Sequence, residues 1–220
     1  MSRLSKPIVI IRDDALPSDT LDSLLAHALS NEANFVEAPV TRNARSVESP
    51  IMERKFRRMS QLRGADSVPL NVMDRLSSLV PELASELPDV DPNAVAAGTF
   101  EAFITSTPDG GFFRAHADDS HESTRDRFIS FVLYFSVSPP QFNGGQLCVQ
   151  HDSHDENRIF IFDAFQTTLG NSEFAGVIEP LCNRLVVFRS NRRHEIRPVQ
   201  CVSHEFAASR FAVAGFVSVR

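Results

Sequence analysis

The sequence contains no tryptophan and a single tyrosine, Tyr134, whereas phenylalanine occurs 18 times. Phenylalanine therefore carries the aromatic packing, and the one phenol group is a candidate for a specific role. Cysteine is also scarce, since Cys148, Cys182 and Cys201 are three residues without a Cys-x-x-Cys spacing. This pattern favours neither a disulfide framework nor a zinc site, and it indicates ordinary thiols in a reducing cytoplasm.

Positive charge is in deficit, because 28 acidic residues against 22 lysines and arginines leave a formal net charge of −6. This balance argues against a nucleic-acid partner or an anionic membrane surface, both of which favour an excess of basic residues. Long apolar runs are absent as well, since no stretch approaches the length of a membrane span. The sequence thus predicts a cytoplasmic protein without a nucleic-acid or membrane partner.

The chain length and a hydrophobic fraction of 42% suit one well-packed domain. Residues 1–220 are therefore predicted to form a single domain with two parts. About 1–96 would supply an N-terminal strand, at 7–12, together with supporting helices. About 97–220 would supply a β core, because the residue pattern changes there from one typical of helices to one typical of strands.

Two amphipathic helices are predicted in the first part. One opens at Pro17, with Ser18 as its expected N-cap, and the other spans about 69–87, where Pro81 is expected to kink or divide it. Between them, 40–66 is polar and rich in arginine, and it lacks clear periodicity. We predict an irregular segment over one mouth of the domain, which is either a solvated loop or a lid that meets an anionic substrate.

After residue 97 the sequence consists of short runs of β-branched and aromatic residues separated by turn residues. Eight or nine strands without helical spacers predict an antiparallel sandwich or barrel, mainly β, with supporting α-helices. The predicted strands are 98–106, 111–117, 127–137, 145–150, 158–162, 176–180, 184–190, 194–200 and 210–219.

Two of these runs alternate in an informative way. In 128–137 one face is wholly apolar, whereas the opposite face carries Tyr134. In 210–219, Arg210 shares a face with two small alanines, opposite a solid apolar face. Small side chains beside an arginine leave room for a ligand next to a cation, although an exposed strand face with a surface arginine gives the same pattern.

The segment 110–118, Gly-Gly-Phe-Phe-Arg-Ala-His-Ala-Asp, places His116 and Asp118 two residues apart. In an extended strand both side chains project to the same side. An imidazole and a carboxylate are two ligands of the 2-His-1-carboxylate triad, which suits non-haem Fe(II) because one face of the metal stays open. A His-x-Asp pair is also common in solvated turns, so the metal site requires a second histidine from a distant strand.

His194 is the candidate for that second histidine, because it lies where a strand restarts after a polar turn. Three arginines flank that strand, and they are either solvated charges or groups that grip a substrate carboxylate. Other histidines lie in polar turns and are expected at the surface, although His151-x-x-His154 has a metal-like spacing. The flanking arginines are Arg192, Arg193 and Arg197, and the remaining surface candidates are His121 and His204.

The order of these residues, His-x-Asp, a distant histidine and then an arginine, resembles the Fe(II)/2-oxoglutarate-dependent dioxygenases, specifically their prolyl 4-hydroxylase-like branch. The resemblance covers about 98–220, with Phe216 where that branch often has tryptophan and with Phe103 as the aromatic before the first-ligand strand. It rests on segments that occur in the order and spacing of the branch, namely 110–118, 127–135, the Gly-Gly-Gln-Leu at 144–147, 183–188 with 194–199, and 209–216.

The resemblance implies a double-stranded β-helix, a jelly-roll barrel of the cupin kind, preceded by N-terminal helices. It implies that His116, Asp118 and His194 bind Fe(II). It also implies that Arg210 binds the distal carboxylate of 2-oxoglutarate and that Tyr134 donates its hydroxyl to the same carboxylate. O2 would be the second cosubstrate, with ascorbate as a supporting reductant.

The activity implied is hydroxylation of an unactivated C–H bond in an amino-acid-derived small molecule or a peptidyl residue such as proline. Succinate and CO2 would be the co-products. Asp118 favours hydroxylation over halogenation, because related halogenases have a small residue at that position. Two alternatives remain open: a catalytically silent β-barrel binding module, and a cupin-type metal enzyme that does not use 2-oxoglutarate.

Overall fold

The computed structural model describes residues 7–38, 56–62, 67–150 and 174–219. Its helices are α1 (Ser18–Ser30), α2 (Leu70–Ala84) and α3 (Pro92–Ala96). The strands in chain order are β1 (Val9–Arg12), β2 (Phe35–Glu37), β3 (Arg57–Arg58), β4 (Ser60–Leu62), β5 (Thr99–Thr107), β6 (Phe112–His116), β7 (Arg127–Phe135), β8 (Phe142–Gly144), β9 (Leu147–Gln150), β10 (Phe174–Ile178), β11 (Leu185–Arg189), β12 (His194–Ile196), β13 (Val199–Cys201) and β14 (Arg210–Ser218).

The described strands form two main antiparallel sheets. The larger sheet has the order β1-β11-β7-β14-β5-β4-β2, and the smaller has the order β10-β9-β12-β6-β3. Strands β8 and β13 pair separately. Chain neighbours are rarely sheet neighbours, so the chain crosses repeatedly between the sheets, as it does in a double-stranded β-helix. The predicted fold class is confirmed.

The larger sheet separates two apolar layers. On its outer side, the alternating face of β7 that carries Ile129, Phe131, Leu133 and Phe135 packs with apolar residues of α1 and α2. On its inner side, Tyr134 belongs to a smaller cluster shared with residues of the second sheet. The strict alternation of a strand therefore decides which side chains face the helices and which face the space between the sheets.

The first 96 residues contribute more strands than predicted. β1 joins the larger sheet beside β11, β2 and β4 form its other edge, and β3 forms the edge of the smaller sheet beside β6. The prediction of an irregular segment over 40–66 is therefore wrong for β3 and β4. Besides these strands, the structure describes only Phe56 and Met59 of that segment. The predicted strand 158–162 lies outside the described residues.

The expected N-cap of the first helix and the expected division of the second are wrong. Pro17, in an extended conformation, is the N-cap of α1, and Ser18 is already helical, so its hydroxyl makes no capping hydrogen bond. Pro81 lies inside α2 without dividing it, because α2 runs unbroken from Leu70 to Ala84.

The division of the chain into one domain with two parts stays a prediction. No helix in the described ranges combines the length and apolar character needed to cross a bilayer.

Candidate active site

Strand pairing brings the three predicted metal ligands together. His116 on β6 lies directly opposite His194 on β12, and their ring centroids are 4.3 Å apart. Asp118 follows β6, with Oδ1 at 3.5 Å from Nε2 of His116 and Oδ2 at 3.5 Å from Nε2 of His194. One potential ligand atom from each residue lies within 4.8 Å of the other two, a spacing that a single metal ion can bridge.

Both imidazoles are held in the tautomer that a metal requires. Nδ1 of His116 lies 2.8 Å from the carbonyl oxygen of Arg114, and Nδ1 of His194 lies 2.9 Å from that of Arg192. A carbonyl oxygen can only accept, so Nδ1 must carry the proton and donate. Each Nε2 is then left with a lone pair directed toward Asp118 and the cavity.

Asp118 is fixed by groups from two other strands. The hydroxyl of Ser130, on β7, donates a hydrogen bond of 2.7 Å to Oδ2, and Ser130 is in turn 2.9 Å from the hydroxyl of Ser190. The backbone N–H of Asp118 donates to the carbonyl oxygen of Ser190 at 2.9 Å. Both serines are buried. The carboxylate therefore has a defined position before any ligand binds.

The electrostatics of the triad favour metal binding at neutral pH. Burial by itself would raise the pKa of Asp118, but the neighbouring imidazoles of His194 and His116 and the hydrogen bond from Ser130 outweigh it and hold that pKa well below its usual range. Burial lowers the pKa of His194 to about 4, against the opposing attraction of Asp118. An ionised carboxylate beside a neutral imidazole is the protonation state that a divalent cation needs.

Arg210 and Tyr134 form a second polar site on the inner face of the larger sheet. Both side chains are about 1% exposed, and the guanidinium carbon of Arg210 lies 4.7 Å from the centre of the Tyr134 ring. Within the described ranges, neither the three guanidinium nitrogens of Arg210 nor the hydroxyl of Tyr134 forms a hydrogen bond. Burying such donors is costly unless an anion satisfies them, so this site fits a carboxylate ligand.

The loop before β9 shapes the space around Arg210. Gly145 has a φ of +69°, and a Cβ atom added there would lie 2.5 Å from Cδ of Arg210. On β14 the next inward side chains are Ala212 and Ala214, which line the same cavity. Arg210 lies in the cavity wall beside these alanines, as predicted for a ligand site next to a cation, and the alternative of a surface arginine is wrong because Arg210 is buried.

The triad and Arg210 open into one cavity of about 580 Å³ between the sheets. Its outer wall includes Phe113, which stacks on His116 with ring centroids 3.7 Å apart, and Phe56, which packs edge-on against Phe113. Phe103 and Phe216 line the opposite part of the cavity, with ring centroids 6.1 Å apart. The cavity is therefore largely aromatic beside the triad, and such walls exclude water from the reacting groups.

The other candidate residues have mixed outcomes. His121 is half-buried in a turn and lines the cavity, whereas the side chain of His204 is 92% exposed as predicted. His151 and His154 lie outside the described residues. Arg193 lines the cavity beside His194, and the side chains of Arg192 and Arg197 are half-buried.

Three residues with contacts at the site were not singled out by their sequence context. Ser130 lies on the Tyr134 face of β7, so its direction could have been inferred from alternation, but its bond to Asp118 could not. Ser190 ends a strand and looks like a turn residue in the sequence. Arg57, on β3, lines the cavity from within the segment predicted as irregular.

Comparison with known proteins identifies the family of the chain. A sequence model of the 2OG-Fe(II) oxygenase superfamily matches residues 102–218. The chain belongs to this superfamily. The superfamily consists of Fe(II)- and 2-oxoglutarate-dependent oxygenases, so the predicted family is confirmed, together with the Fe(II), 2-oxoglutarate and O2 that it implies. Neither the silent module nor the cupin enzyme without 2-oxoglutarate is supported.

Individual relatives agree with the prolyl 4-hydroxylase-like branch. An uncharacterized PKHD-type hydroxylase of Synechocystis sp. is 29% identical over 196 residues, which cover 88% of this chain. The match covers 57% of that relative, so the chain spans little more than half of its length.

Two solved structures share the fold at low sequence identity. A prolyl-4-hydroxylase of Pseudomonas putida is 20% identical with a TM-score of 0.62, over 97% of this chain and 94% of that chain. A prolyl hydroxylase of Trichoplax adhaerens, in complex with a peptide fragment of the hypoxia inducible factor oxygen degradation domain, is 19% identical with a TM-score of 0.61, over 96% and 84% of the two chains.

Proposed function

We propose that His116, Asp118 and His194 hold Fe(II) and that Arg210 and Tyr134 bind the distal carboxylate of 2-oxoglutarate. The enzyme then hydroxylates an unactivated C–H bond of an amino-acid-derived small molecule or a peptidyl residue such as proline. The observation that carries this proposal is the juxtaposition, in one cavity, of a 2-His-1-carboxylate cluster and a buried arginine with unsatisfied donors.

The chemistry supplied by bound Fe(II), 2-oxoglutarate and O2 is R–H + 2-oxoglutarate + O2 → R–OH + succinate + CO2. The side chains of the protein make this reaction specific. His116, His194 and Asp118 would hold the metal through two Nε2 lone pairs and one carboxylate, a ligand set that leaves positions open for cosubstrates. Arg210 suits a carboxylate because its planar fork can donate two parallel hydrogen bonds and stays charged when buried.

Other residues keep the site ordered and dry. Phe188 packs edge-on against His194, with ring centroids 4.8 Å apart, and Phe113 covers His116. Tyr134 adds a donor beside Arg210, and burial raises the pKa of its phenol although the charge of Arg210 opposes the rise. The hydroxyl therefore stays protonated at neutral pH and is able to donate a hydrogen bond to a carboxylate.

The substrate class is supported by two similarities. The relative in Synechocystis sp. is a PKHD-type hydroxylase, and the Trichoplax adhaerens structure contains a peptide in complex with a prolyl hydroxylase. We place the enzyme in the cytoplasm as a single domain. Its three cysteines, Cys148, Cys182 and Cys201, are free thiols, which supports a reducing compartment.

The experiment that tests the proposal is an anaerobic titration. Fe(II) and then 2-oxoglutarate are added to metal-free protein, and the weak visible charge-transfer band of the chelate is recorded. We expect the band in the wild type and its loss in His116→Ala and Asp118→Ala, together with loss of succinate formation in air. His204→Ala is the matched control, because His204 is exposed and away from the triad. Unchanged turnover in both ligand variants would refute the assignment.

A further inference from the structure

Gln61 lies on the inner face of the larger sheet, on the side of the cavity away from Tyr134. Its neighbour Leu62 belongs to the outer apolar layer, so alternation along β4 directs Gln61 to the inside. Strand register places Gln61 in one row with Thr105 of β5, Ala212 of β14 and Tyr134 of β7, and all four line the cavity. Adjacent strands are about 4.8 Å apart, so Gln61 and Tyr134 are separated by about 14 Å along the sheet.

The two ends of this row face different parts of the cavity. Tyr134 and Arg210 are the proposed anchors of 2-oxoglutarate, and Ser130 connects Asp118 to the strand that carries Tyr134. The metal and its cosubstrate are therefore expected over β7 and β14. Strands β4 and β5 face the part of the cavity that is left for the substrate, and Gln61 lies there.

Gln61 is the only amide side chain that lines the cavity among the described residues. Within the same ranges its amide makes no hydrogen bond to the protein, whereas every lining hydroxyl except that of Tyr134 donates to a protein group. A ligand that covers an amide without pairing its donor and acceptor pays for their desolvation. The hydroxyl bonds run from Thr105 to the carbonyl oxygen of Ala212, from Ser120 to that of Ala117, from Thr124 to that of His121, and from Ser130 to Asp118.

The backbone of Gln61 is fixed by pairing on both sides. It lies opposite Val36 of β2 and opposite Thr105 of β5. The side chain is half-buried, and Met59 and Phe103 provide apolar surface in the same part of the cavity. A polar group that is held on a rigid strand between apolar walls loses little entropy when it binds a ligand.

We infer that Gln61 binds the main chain of an extended peptide segment next to the residue that is hydroxylated. In an extended chain the N–H and the C=O of one residue point to the same side. The NH2 group of Gln61 would donate to that C=O, and its Oε1 would accept from that N–H. Proline has no N–H, so the bound residue would be a neighbour of a target proline.

This inference rests on the proposed function and narrows its substrate class to peptidyl residues. A free amino acid carries an ammonium and a carboxylate group where a peptide residue has neutral N–H and C=O groups. A neutral amide side chain matches the pair of groups in the peptide and provides no opposite charge for either group of the free amino acid.

The test compares a peptide with analogues that each lack one N–H group. Protein is loaded with Mn(II), which prevents turnover, and with saturating 2-oxoglutarate, and its Tm is followed as each probe is added. The parent probe is acetyl-Ala-Pro-Ala-amide. In the two analogues an ester oxygen replaces the N–H of the first or of the second alanine. Free L-proline is the small-molecule probe.

In the wild type we expect the parent peptide to half-saturate the Tm shift at a concentration about fivefold or more below that of one analogue, because one hydrogen bond is lost. Gln61→Met keeps the length of the side chain but removes both hydrogen-bonding groups. It should bind the parent about fivefold or more weakly than the wild type does, and it should bind the parent and that analogue alike.

Two further variants complete the comparison. Gln61→Glu replaces the NH2 donor by an oxygen that repels the peptide C=O, so it should also weaken binding of the parent about fivefold or more. Gln200→Met is the matched control and should behave as the wild type, because Gln200 is exposed on β13 and is not among the residues that line the cavity.

The inference is overturned if the parent raises the Tm of the wild type no more than L-proline does, or if the wild type binds the parent and both analogues alike. It is also overturned if Gln61→Met binds the parent as the wild type does. Where Gln61→Met does not fold, Gln61→Glu and the comparison of the parent with its analogues in the wild type decide the question.

The charge-transfer band separates these failures from failure of the proposed function. A normal band together with any of the overturning results removes the inference about Gln61 and leaves the iron and 2-oxoglutarate assignments intact. If the wild type forms no band, the proposed function itself fails.

Discussion

The hydroxyl of Ser130 donates a 2.7 Å hydrogen bond to Oδ2 of Asp118, and the same hydroxyl lies 2.9 Å from that of Ser190. This chain of two serines connects the carboxylate ligand to β7 and to the end of β11. It occupies one carboxylate oxygen and restricts rotation of the group about its Cβ–Cγ bond. A ligand that is already oriented loses less conformational entropy when the metal binds.

Ser130→Ala should weaken Fe(II) binding without unfolding the protein. Loss of the hydroxyl frees the carboxylate, and loss of such a hydrogen bond to a metal ligand typically weakens affinity about tenfold or more, which is about 1.4 kcal/mol. The measurement is the Fe(II) concentration that half-saturates the charge-transfer band at fixed 2-oxoglutarate. Ser136→Ala is the control, because its buried hydroxyl has no hydrogen-bond partner within the described residues. Equal affinities in the two variants would count against the role of Ser130.

Arg210→Gln should raise the apparent KM for 2-oxoglutarate by at least about thirtyfold. A carboxylate left in a buried site without its charged partner costs about 2 kcal/mol or more, which corresponds to that factor. The measurement is succinate formation as a function of 2-oxoglutarate concentration. Arg12→Gln is the control, since Arg12 pairs with the exposed Glu82 at 3.4 Å. A rise of less than threefold for Arg210→Gln would show that another residue binds the cosubstrate.

Gly145→Ala should impair 2-oxoglutarate binding by displacing Arg210. The added methyl would lie 2.5 Å from Cδ of Arg210, and a φ of +69° disfavours alanine by about 1–2 kcal/mol. We expect both a lower Tm and a higher KM for 2-oxoglutarate. Gly176→Ala is the control, because its methyl would meet Ile178 at an ordinary 3.5 Å. A fall in Tm without any change in KM would mean that the glycine serves the fold alone.

The sequence predicts the parts of this site that depend on strand periodicity. Tyr134 and Arg210 reach the inner face because alternation is strict over strands of nine residues. Asp118 lies in a turn after β6, so its approach to His116 follows from the course of the chain at that turn and not from strand alternation. The β3 strand could not be predicted, because two residues are too few for an alternating pattern to appear. Arg57 therefore looked like one solvated charge among many, and its place beside Phe113 follows from pairing between distant segments.

The metal-free protein should lose stability as the pH falls from 7 to 5, and His194 should be a main cause. Its pKa is lowered to about 4 by burial, whereas an unfolded histidine titrates near 6.5. Between these values the unfolded chain binds a proton that the folded protein does not, so the free energy of unfolding decreases as the pH falls. Each pKa unit is worth about 1.4 kcal/mol, so the full loss by pH 4 is at most about 3 kcal/mol.

The measurement is Tm against pH in the presence of a chelator. His194→Gln should give a shallower decline between pH 7 and 5 than the wild type, because glutamine does not titrate. His204→Gln, at an exposed position, should keep the wild-type slope. The pH window stays above the ordinary pKa of aspartate, so protonation of Asp118 does not contribute. Identical slopes in the wild type and His194→Gln would mean that the imidazole of His194 is protonated as readily in the folded protein as in the unfolded chain. Metal binding would then have to displace that proton, because the fold alone would not keep the imidazole neutral.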